Sequence, residues 1–229
     1  PVSPYNFALD RLDQDNPDLD YEYGHVLDGR SVDIYVFDTG VRISHDEFDD
    51  GNGNSRAIQG YTAFPGDYTD CNGHGTHVAA SAAGINVGPA TSATIVPVKI
   101  FGGADCKEGG LIQDLAAIDY TINRMNSTGN PTVVNMSFGY EQIVSQFDSK
   151  VQDLVDAGAT VVVASGNYQA NACSFSPNVA DAITVNSSII YLGDDFEWTE
   201  KDSSFSNWGS CTDIYATGSN VYSANNSGD

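Results

Sequence analysis

Basic residues are scarce in this sequence. The 229 residues include 9 Lys and Arg against 31 Asp and Glu, a formal net charge of −22 at pH 7. Such a surface repels phosphate backbones and anionic lipid headgroups. No apolar run approaches the ~18 residues that a membrane-spanning helix requires. We therefore expect neither nucleic acid nor a membrane among the partners of this chain.

Cysteine is also infrequent. Four are present, Cys71, Cys106, Cys173 and Cys211, and none has the Cys-x-x-Cys spacing of a zinc knuckle or a thioredoxin-type redox motif. Two disulfides are the favoured use, and they imply an oxidising compartment. Three connectivities are open, of which Cys71 with Cys106 and Cys173 with Cys211 join the cysteines nearest in sequence.

Hydrophobic patterning predicts an α/β fold. The composition, 41% hydrophobic with 23 Gly and 8 Pro, suits one sizeable core, and we expect a single domain over residues 1–229. Helical periodicity covers 111–125 and 142–157, between short apolar runs that we expect to be strands buried on both faces. The runs are 32–37, 94–101, 132–138, 159–164, 182–185 and 213–216. This alternation predicts a mostly parallel central sheet flanked by helices on both faces.

Polar side chains follow three of the predicted strands. Asp38 follows Val36 and Phe37, Ser137 follows the stretch 133–136, and Asn167 follows the stretch 161–164. In open α/β sheets the functional groups gather beyond the carboxyl ends of the strands. We therefore expect these three residues at one edge of the sheet.

Two motifs bear on catalysis. Asp38 opens an Asp-Thr-Gly sequence that also marks aspartic peptidases, but those need two copies and this chain has one. A lone Asp after a strand is otherwise a turn former. His74 begins a Gly-rich, small-residue helix, and its spacing to His77 could suit a metal, although no third ligand has zincin spacing. Taken together, Asp38 and His74 favour the Asp and His of a catalytic triad.

Asn167 follows the strand 159–164 as the last residue of an Ala-Ser-Gly-Asn sequence. An Asn amide at such an edge can donate to the oxyanion of a tetrahedral intermediate. The alternative is a turn Asn that accepts a positive φ.

These motifs together resemble the subtilases, and among them the proteinase K-like branch with its aqualysin-type and Vibrio-type secreted proteases. The resemblance extends over essentially the whole chain. Besides the Asp38 and His74 motifs it includes segments 9–14 (Leu-Asp-Arg-Leu-Asp-Gln), 135–139 (Asn-Met-Ser-Phe-Gly), 164–167, 171–177 and 204–211. It also favours the disulfide pairs Cys71 with Cys106 and Cys173 with Cys211.

The resemblance implies an extracellular serine endopeptidase, made as a proenzyme, that cleaves protein or peptide substrates. A Ser would attack the peptide carbonyl while His74 takes its proton, Asp38 holds His74, and Asn167 donates to the oxyanion. A propeptide or an inhibitor would be a further partner. Two extended segments would clasp the substrate backbone, and a third would line the first specificity pocket. The three sets are Glu108, Gly109 and Gly110; Ser137, Phe138 and Gly139; and Ala164, Ser165 and Gly166.

The resemblance also implies structural calcium. Asp10, Asp13, Gln14 and Asp20 supply oxygen ligands at positions similar to a site of the aqualysin-like enzymes. A second set combines the Asp213 carboxylate with backbone carbonyls around Ala180 and Ala182. The alternative is that these acids form only a solvated surface.

The nucleophile of the family lies in a Gly-Thr-Ser-Met-Ala type of segment, which none of the 229 residues provides. We expect a C-terminally truncated chain that is inactive alone, with the Ser-bearing part of the same enzyme as a partner. Several positions depart from the family pattern: Ala80, Ser81, Tyr140, Asn186, Ser187 and Thr217. The alternative function is therefore a non-catalytic subtilase-fold component with a structural or binding role.

Overall fold

The computed structural model describes residues 6–194 and 197–228, which form a mixed, mostly parallel sheet with helices on both faces. The eight strands of this described part are Asp33–Asp38 (β1), Tyr61–Thr62 (β2), Thr94–Lys99 (β3), Thr132–Met136 (β4), Thr160–Ala164 (β5), Ile183–Leu192 (β6), Trp198–Asp202 (β7) and Ile214–Thr217 (β8). The main path runs β2-β3-β1-β4-β5-β6-β7, and β8 pairs with β6.

The parallel pairing follows from the alternation of strands and helices. Strand β1 is central and pairs parallel to β3 and β4, so that Asp38 stands beside Lys99 and Phe37 beside Met136. The antiparallel pair of the sheet is β6 with β7. The predicted α/β class is confirmed, and the sheet places the carboxyl ends of β1 and β4 at one edge.

Four α-helices occur in the described residues: Phe7–Asp10 (α1), His74–Ala83 (α2), Leu111–Thr128 (α3) and Ser145–Asp156 (α4). Helix α3 ends where Gly129 adopts a φ of 68° and donates its N–H to the Met125 carbonyl at 2.9 Å. Glycine takes this left-handed conformation without a Cβ penalty, so it is a common helix terminator.

Strand β1 separates two apolar layers because its alternate side chains point to opposite faces. Tyr35 and Phe37 pack with residues of α3 and α4. Ile34 and Val36 pack instead with the alanines of α2. The Ala-rich face of α2 lets its backbone come close to the sheet, which fixes the position of the His74 end.

Four features of the fold differ from the sequence predictions. Strands β2 and β7 lie outside the predicted runs, and β6 extends to Leu192, well beyond the expected 182–185. Residues along β6 alternate between buried and more exposed positions, and Ile214 to Ala216 of β8 are exposed. The expectation of strands buried on both faces is therefore wrong for β6 and β8, which lie near one side of the sheet and are covered on one face at most.

Two disulfides join Cys71 to Cys106 and Cys173 to Cys211, the pairs that the family resemblance favours. The first ties the loop before α2 to the loop before α3. The second ties the 3-10 turn Ala172–Ser174 to the segment before β8. In the described part of the chain, no helix combines the length and apolar character needed to cross a membrane.

Candidate active site

Asp38 is the last residue of β1, and its side chain is only 3% exposed. Its Oδ1 atom accepts the N–H of Thr39 at 2.7 Å. Burial among apolar strands leaves this carboxylate few contacts with water, so its hydrogen bonds come from neighbouring protein groups. The strand end thus presents a fixed acceptor at the edge of the sheet.

His74 is the first residue of α2 and faces Asp38. Its Nδ1 atom lies 2.8 Å from both Oδ1 and Oδ2 of Asp38. The hydrogen bond that His74 donates to Asp38 raises the pKa of His74, and burial acts in the opposite direction. The His74 side chain is 52% exposed, so its ring is accessible from solvent while Nδ1 is held by the buried carboxylate. The predicted Asp–His contact is thus present in the structure.

A close backbone approach brings α2 to β1. A Cβ added at Gly75 would lie 2.0 Å from the Gly40 carbonyl oxygen and 3.1 Å from Cβ of Asp38. A larger residue at position 75 would therefore push the helix away from the strand end. Glycine is required here by close packing rather than by an unusual backbone angle.

Asp70 organises the start of α2. Its Oδ2 atom accepts from the backbone N–H and the hydroxyl of Thr76, at 2.9 and 2.6 Å. Its Oδ1 atom accepts from the hydroxyl of Thr39 and from the backbone N–H groups of Asn72 and Gly73, at 2.8 to 3.0 Å. Burial works against ionisation, but these hydrogen bonds outweigh it and lower the pKa of Asp70. Asp70 thus joins the Asp38 turn to the His74 helix.

The buried side chain of Lys99 also binds the chain segments next to Asp38 and Asp70. Its side chain is 1% exposed, and its Nζ atom donates to the carbonyls of Thr39 and Thr69 at 2.7 and 2.8 Å. Burial lowers the pKa of Lys99, while the carboxylate of Asp67, 3.7 Å away, opposes this change. Sequence reasoning missed both Asp70 and Lys99. For Lys99, the available signal was a charged residue at the end of an otherwise apolar strand.

A cavity of about 260 Å³ collects the residues expected to line the first specificity pocket. It is bounded by Ser137, Phe138, Gly139, Ala164, Ser165, Gly166 and Asn167, together with Tyr140 and residues 175–178. The predicted segments 137–139 and 164–166 thus meet at one site, and Asn167 lies on its rim with an exposed side chain. The residues of the 108–110 segment lie outside the lining of this cavity.

The segment 108–110 is the last part of the loop between β3 and α3. Glu108 and Gly102 exchange backbone hydrogen bonds at 2.8 and 2.9 Å. A Cβ added at Gly109 would lie 2.5 Å from the Ile100 carbonyl oxygen. Gly110 then caps the N-terminus of α3. The segment is therefore held against the extension of β3 by its own backbone.

A buried carboxyl lies between this region and the cavity. Asp114, in the first turns of α3, is 2% exposed, and its Oδ2 atom accepts the hydroxyl of Tyr140 at 2.5 Å. Its Oδ1 atom is buried, and no residue of the described part of the chain forms a hydrogen bond with it. Burial raises the pKa of Asp114 to about 6, and the bond from Tyr140 lowers it in part. Sequence reasoning singled out Tyr140 as unusual but did not find Asp114.

The N-terminal acids form a connected group. Asp10 is buried and accepts the Tyr21 N–H at 2.8 Å, and the Gln14 amide nitrogen lies 2.7 Å from Asp10 and 2.8 Å from Asp20. Burial raises the pKa of Asp10 despite these backbone bonds. Asp13 accepts the N–H of Gly24 at 2.7 Å. This arrangement pins the loop around residues 20–24 to α1.

One polar atom of this group lacks a partner. The Oε1 atom of Gln14 is buried without a hydrogen bond to any residue within 6–194 and 197–228. Amide and carboxylate oxygens are the ligands that calcium takes, so the donor set suits that ion. No three His, Cys, Asp or Glu side chains of the described residues converge as metal ligands. A cation here would therefore also need amide oxygens and water.

In the second expected calcium set, the carboxylate already has a hydrogen-bond partner in the protein. The Oδ2 atom of Asp213 accepts the N–H of Thr184 at 2.7 Å, and the Asp213 N–H returns a bond to the Thr184 carbonyl. Ala182, whose carbonyl belongs to this set, donates its N–H to the Val179 carbonyl at 3.1 Å. Asp213 is therefore already used to fix the start of β6.

An α/β fold with a buried Asp paired to a His at the start of a small-residue helix is the architecture of subtilisin-like peptidases. The family model described as "Subtilase family" matches residues 29–229, and the chain belongs to this family. It is 40% identical over 222 residues to "Alkaline serine exoprotease A" of Vibrio alginolyticus, covering 95% of this chain and 38% of that protein. It is 38% identical to "Extracellular serine proteinase" of Thermus sp. (strain Rt41A), covering 97% of this chain and 50% of that protein.

Solved structures agree with these relatives. The "Crystal structure of a cold adapted subtilisin-like serine proteinase" superposes with a TM-score of 0.82 at 37% identity, over 96% of this chain and 75% of that one. The chain spans about two fifths to one half of the length of the two curated relatives named here.

Proposed function

We propose that the protein carrying this chain is a secreted serine endopeptidase that hydrolyses peptide bonds in proteins. The observation that carries the proposal is the pairing of the buried Asp38 with His74 Nδ1 at 2.8 Å, with the ring accessible from solvent. Support for secretion comes from the two disulfides and from the Thermus relative, whose name describes it as extracellular.

The proposed chemistry follows from this geometry. Because Nδ1 of His74 is held by Asp38, its Nε2 atom is the one free to take a proton from a serine hydroxyl. Asp38 fixes the tautomer and stabilises the imidazolium that forms. The Asn167 side-chain amide on the cavity rim would donate to the oxyanion, an interaction worth about 10²–10³ in kcat in such enzymes.

Substrate would lie between segments 108–110 and 137–139. Segment 108–110 is fixed by the backbone hydrogen bonds between Glu108 and Gly102, and segment 137–139 leads into Tyr140, which exchanges backbone hydrogen bonds with Ser176. The side chain before the scissile bond would enter the cavity lined by residues 137–139 and 164–167. An antiparallel backbone clamp of this kind gives affinity, while the pocket gives specificity.

The nucleophilic Ser would come from a part of the enzyme outside residues 1–229, as a continuation or as a bound second fragment. The segment before residue 229 supports this proposal, because it lies along α2. Ser223 donates to the His77 carbonyl at 2.8 Å, and Asn226 donates to the Asp70 carbonyl at 3.0 Å. The exposed side chains of Ile214 and Tyr215 on β8 offer an apolar surface for such a part. A propeptide or an inhibitor would occupy the same substrate cleft.

A serine-directed reagent tests the proposed activity. The full-length protein should hydrolyse an unfolded protein, and an organofluorophosphate should stop this hydrolysis by labelling a single Ser, because only a His-activated hydroxyl reacts readily. Peptide mapping locates the label. A folded protein that neither hydrolyses substrate nor takes up the label would instead support the non-catalytic, structural or binding role. The departures from the family pattern at Ala80, Asn186 and Thr217 are the reason for considering that role.

We also propose that Asp10, Asp13, Gln14 and Asp20 hold a structural calcium ion, with Asp213 and the carbonyls of Ala180 and Ala182 as a second set. The orphaned Gln14 Oε1 atom supports the first site. Bound calcium would offset the repulsion among the three carboxylates and fix the loop around Tyr21 to α1.

Calcium should therefore stabilise the protein. At fixed ionic strength, a chelator should lower Tm by about 5 °C, because a ligand that binds only the folded state adds to its stability. Asp13→Asn should reduce this response, whereas Asp15→Asn removes the same charge from an exposed neighbour and should retain it. Differential scanning calorimetry measures both. Equal responses from the two variants, or a Tm indifferent to chelator, would show that these acids are only a solvated surface.

A further inference from the structure

The two segments that would clasp the substrate have side-chain links of two kinds. One is apolar: the rings of Phe101 and Phe138 meet edge to face at 5.5 Å, and Phe147 lies against Phe138 and Tyr140. The energy of such a ring contact changes little when one ring shifts relative to the other, because dispersion attraction has little directionality. They connect residues beside the two segments without setting the distance between the segments.

The other link is directional. Tyr140 follows segment 137–139 in the chain, and Asp114 lies one turn after segment 108–110. The 2.5 Å bond from the Tyr140 hydroxyl to Asp114 thus joins the residues next to both segments. Hydrogen bonds to charged groups are stronger and more geometrically demanding than neutral ones. A bond in this place sets the distance across which a peptide backbone must fit.

The contact between Asp114 and Tyr140 requires the burial of a carboxyl group, which is unfavourable. Asp114 is buried, and its Oδ1 atom has no partner within the described residues. A carboxyl buried with one oxygen unpaired is unfavourable for folding. Leu115 and Ile118, on the same helix, show that apolar side chains suit the neighbouring positions. The burial of a carboxyl at position 114 is thus better explained by the contact with Tyr140 than by core packing.

We propose that Asp114 is a positioning residue which, through Tyr140, holds segments 108–110 and 137–139 at the separation that an extended peptide requires. The inference rests on the proposed function. It assigns Asp114 to affinity for long substrates and not to the chemical step, because Asp114 touches neither His74 nor Asp38. Short substrates that fill only the cavity do not span the two segments, so their binding does not depend on the separation of the segments.

The test compares long and short substrates on the full-length enzyme. Asp114→Leu should raise KM for a peptide of six or more residues about 10-fold, the loss of roughly one charge-assisted hydrogen bond. Its kcat, and its KM for a single-residue ester, should stay within about 2-fold of the parent. Asp114→Asn keeps an oxygen acceptor for Tyr140 and should restore most of the long-peptide affinity.

Tyr140→Phe provides a second variant that removes the same bond from the other side. It should raise KM for the long peptide as Asp114→Leu does. An equal rise in KM for both substrates in Asp114→Leu, a fall in its kcat at unchanged KM, or an Asp114→Asn variant as impaired as Asp114→Leu would overturn the proposal. Absence of hydrolysis by the parent enzyme would overturn the proposed function instead, so the two failures are distinguishable.

Discussion

Replacing His74 by Ala in the full-length protein should lower kcat by about 10⁶-fold and leave the fold intact. The side chain is half exposed, and its described side-chain bond is with Asp38, so truncation opens little core. Proton transfer from the nucleophile is lost completely, and triad residues act as a unit, so one loss costs nearly as much as several. Steady-state hydrolysis of a peptide substrate measures kcat, and circular dichroism checks the fold.

His25 provides a matched control for this variant. It is an exposed histidine whose ring stacks on Tyr23, far along the chain from both motifs. His25→Ala should leave kcat within about 2-fold of the parent enzyme. If His74→Ala retained full turnover, the proposed triad would be wrong even though Asp38 and His74 are in contact.

Replacing Asp38 by Asn should lower kcat by about 10⁴-fold, less than the loss of His74. An amide at this position offers only one acceptor oxygen, so the imidazolium loses its charged partner and the tautomer is no longer fixed. The hydrogen bond that His74 donates to Asp38 is the main cause of the raised pKa of His74. The variant should therefore also lower the pKa of His74.

The pH dependence of kcat/KM provides the second readout for Asp38→Asn. His74 acts as a base only when neutral, so turnover of the parent falls as pH drops through its raised pKa. In the variant this acid limb should move to lower pH. Asp33→Asn, at the buried opposite end of the same strand, is the control and should move neither kcat nor the acid limb. An unshifted limb in Asp38→Asn would mean that Asp38 does not set the pKa of His74.

The sequence predicts those parts of the site that are encoded locally. Asp38 closes an apolar strand and His74 opens a small-residue helix, and both patterns are visible within ten residues. The parallel order of the sheet then brings them together, since helices connect its strands. The cavity residues 137–139 and 164–167 follow in the same way, from two neighbouring strands that end at one edge.

The residues that support the site could not be predicted in this way. Asp70 bonds to Thr39 and Lys99 bonds to Thr69, contacts between segments about thirty residues apart that no periodicity encodes. Asp114 could not be predicted from the sequence either. An acid within a helical pattern is expected to face solvent, and only the folded structure shows that Tyr140 donates to it. The exposed face of β8 was missed because an apolar run gives no sign of whether both of its faces are covered.

The central position of β1 has a consequence for how fast this chain folds. Asp33 pairs with Thr94 on one side and with Thr132 on the other. Both pairings join residues that are far apart in the sequence, so each forms only after a long stretch of chain has been brought together. Topologies with such distant pairings cross their folding barriers slowly. A barrier that persists in the reverse direction gives a protein a long lifetime in its native form, whatever its equilibrium stability. For the proposed peptidase, a long native lifetime would limit self-digestion, because a neighbouring copy can cleave only the segments that open.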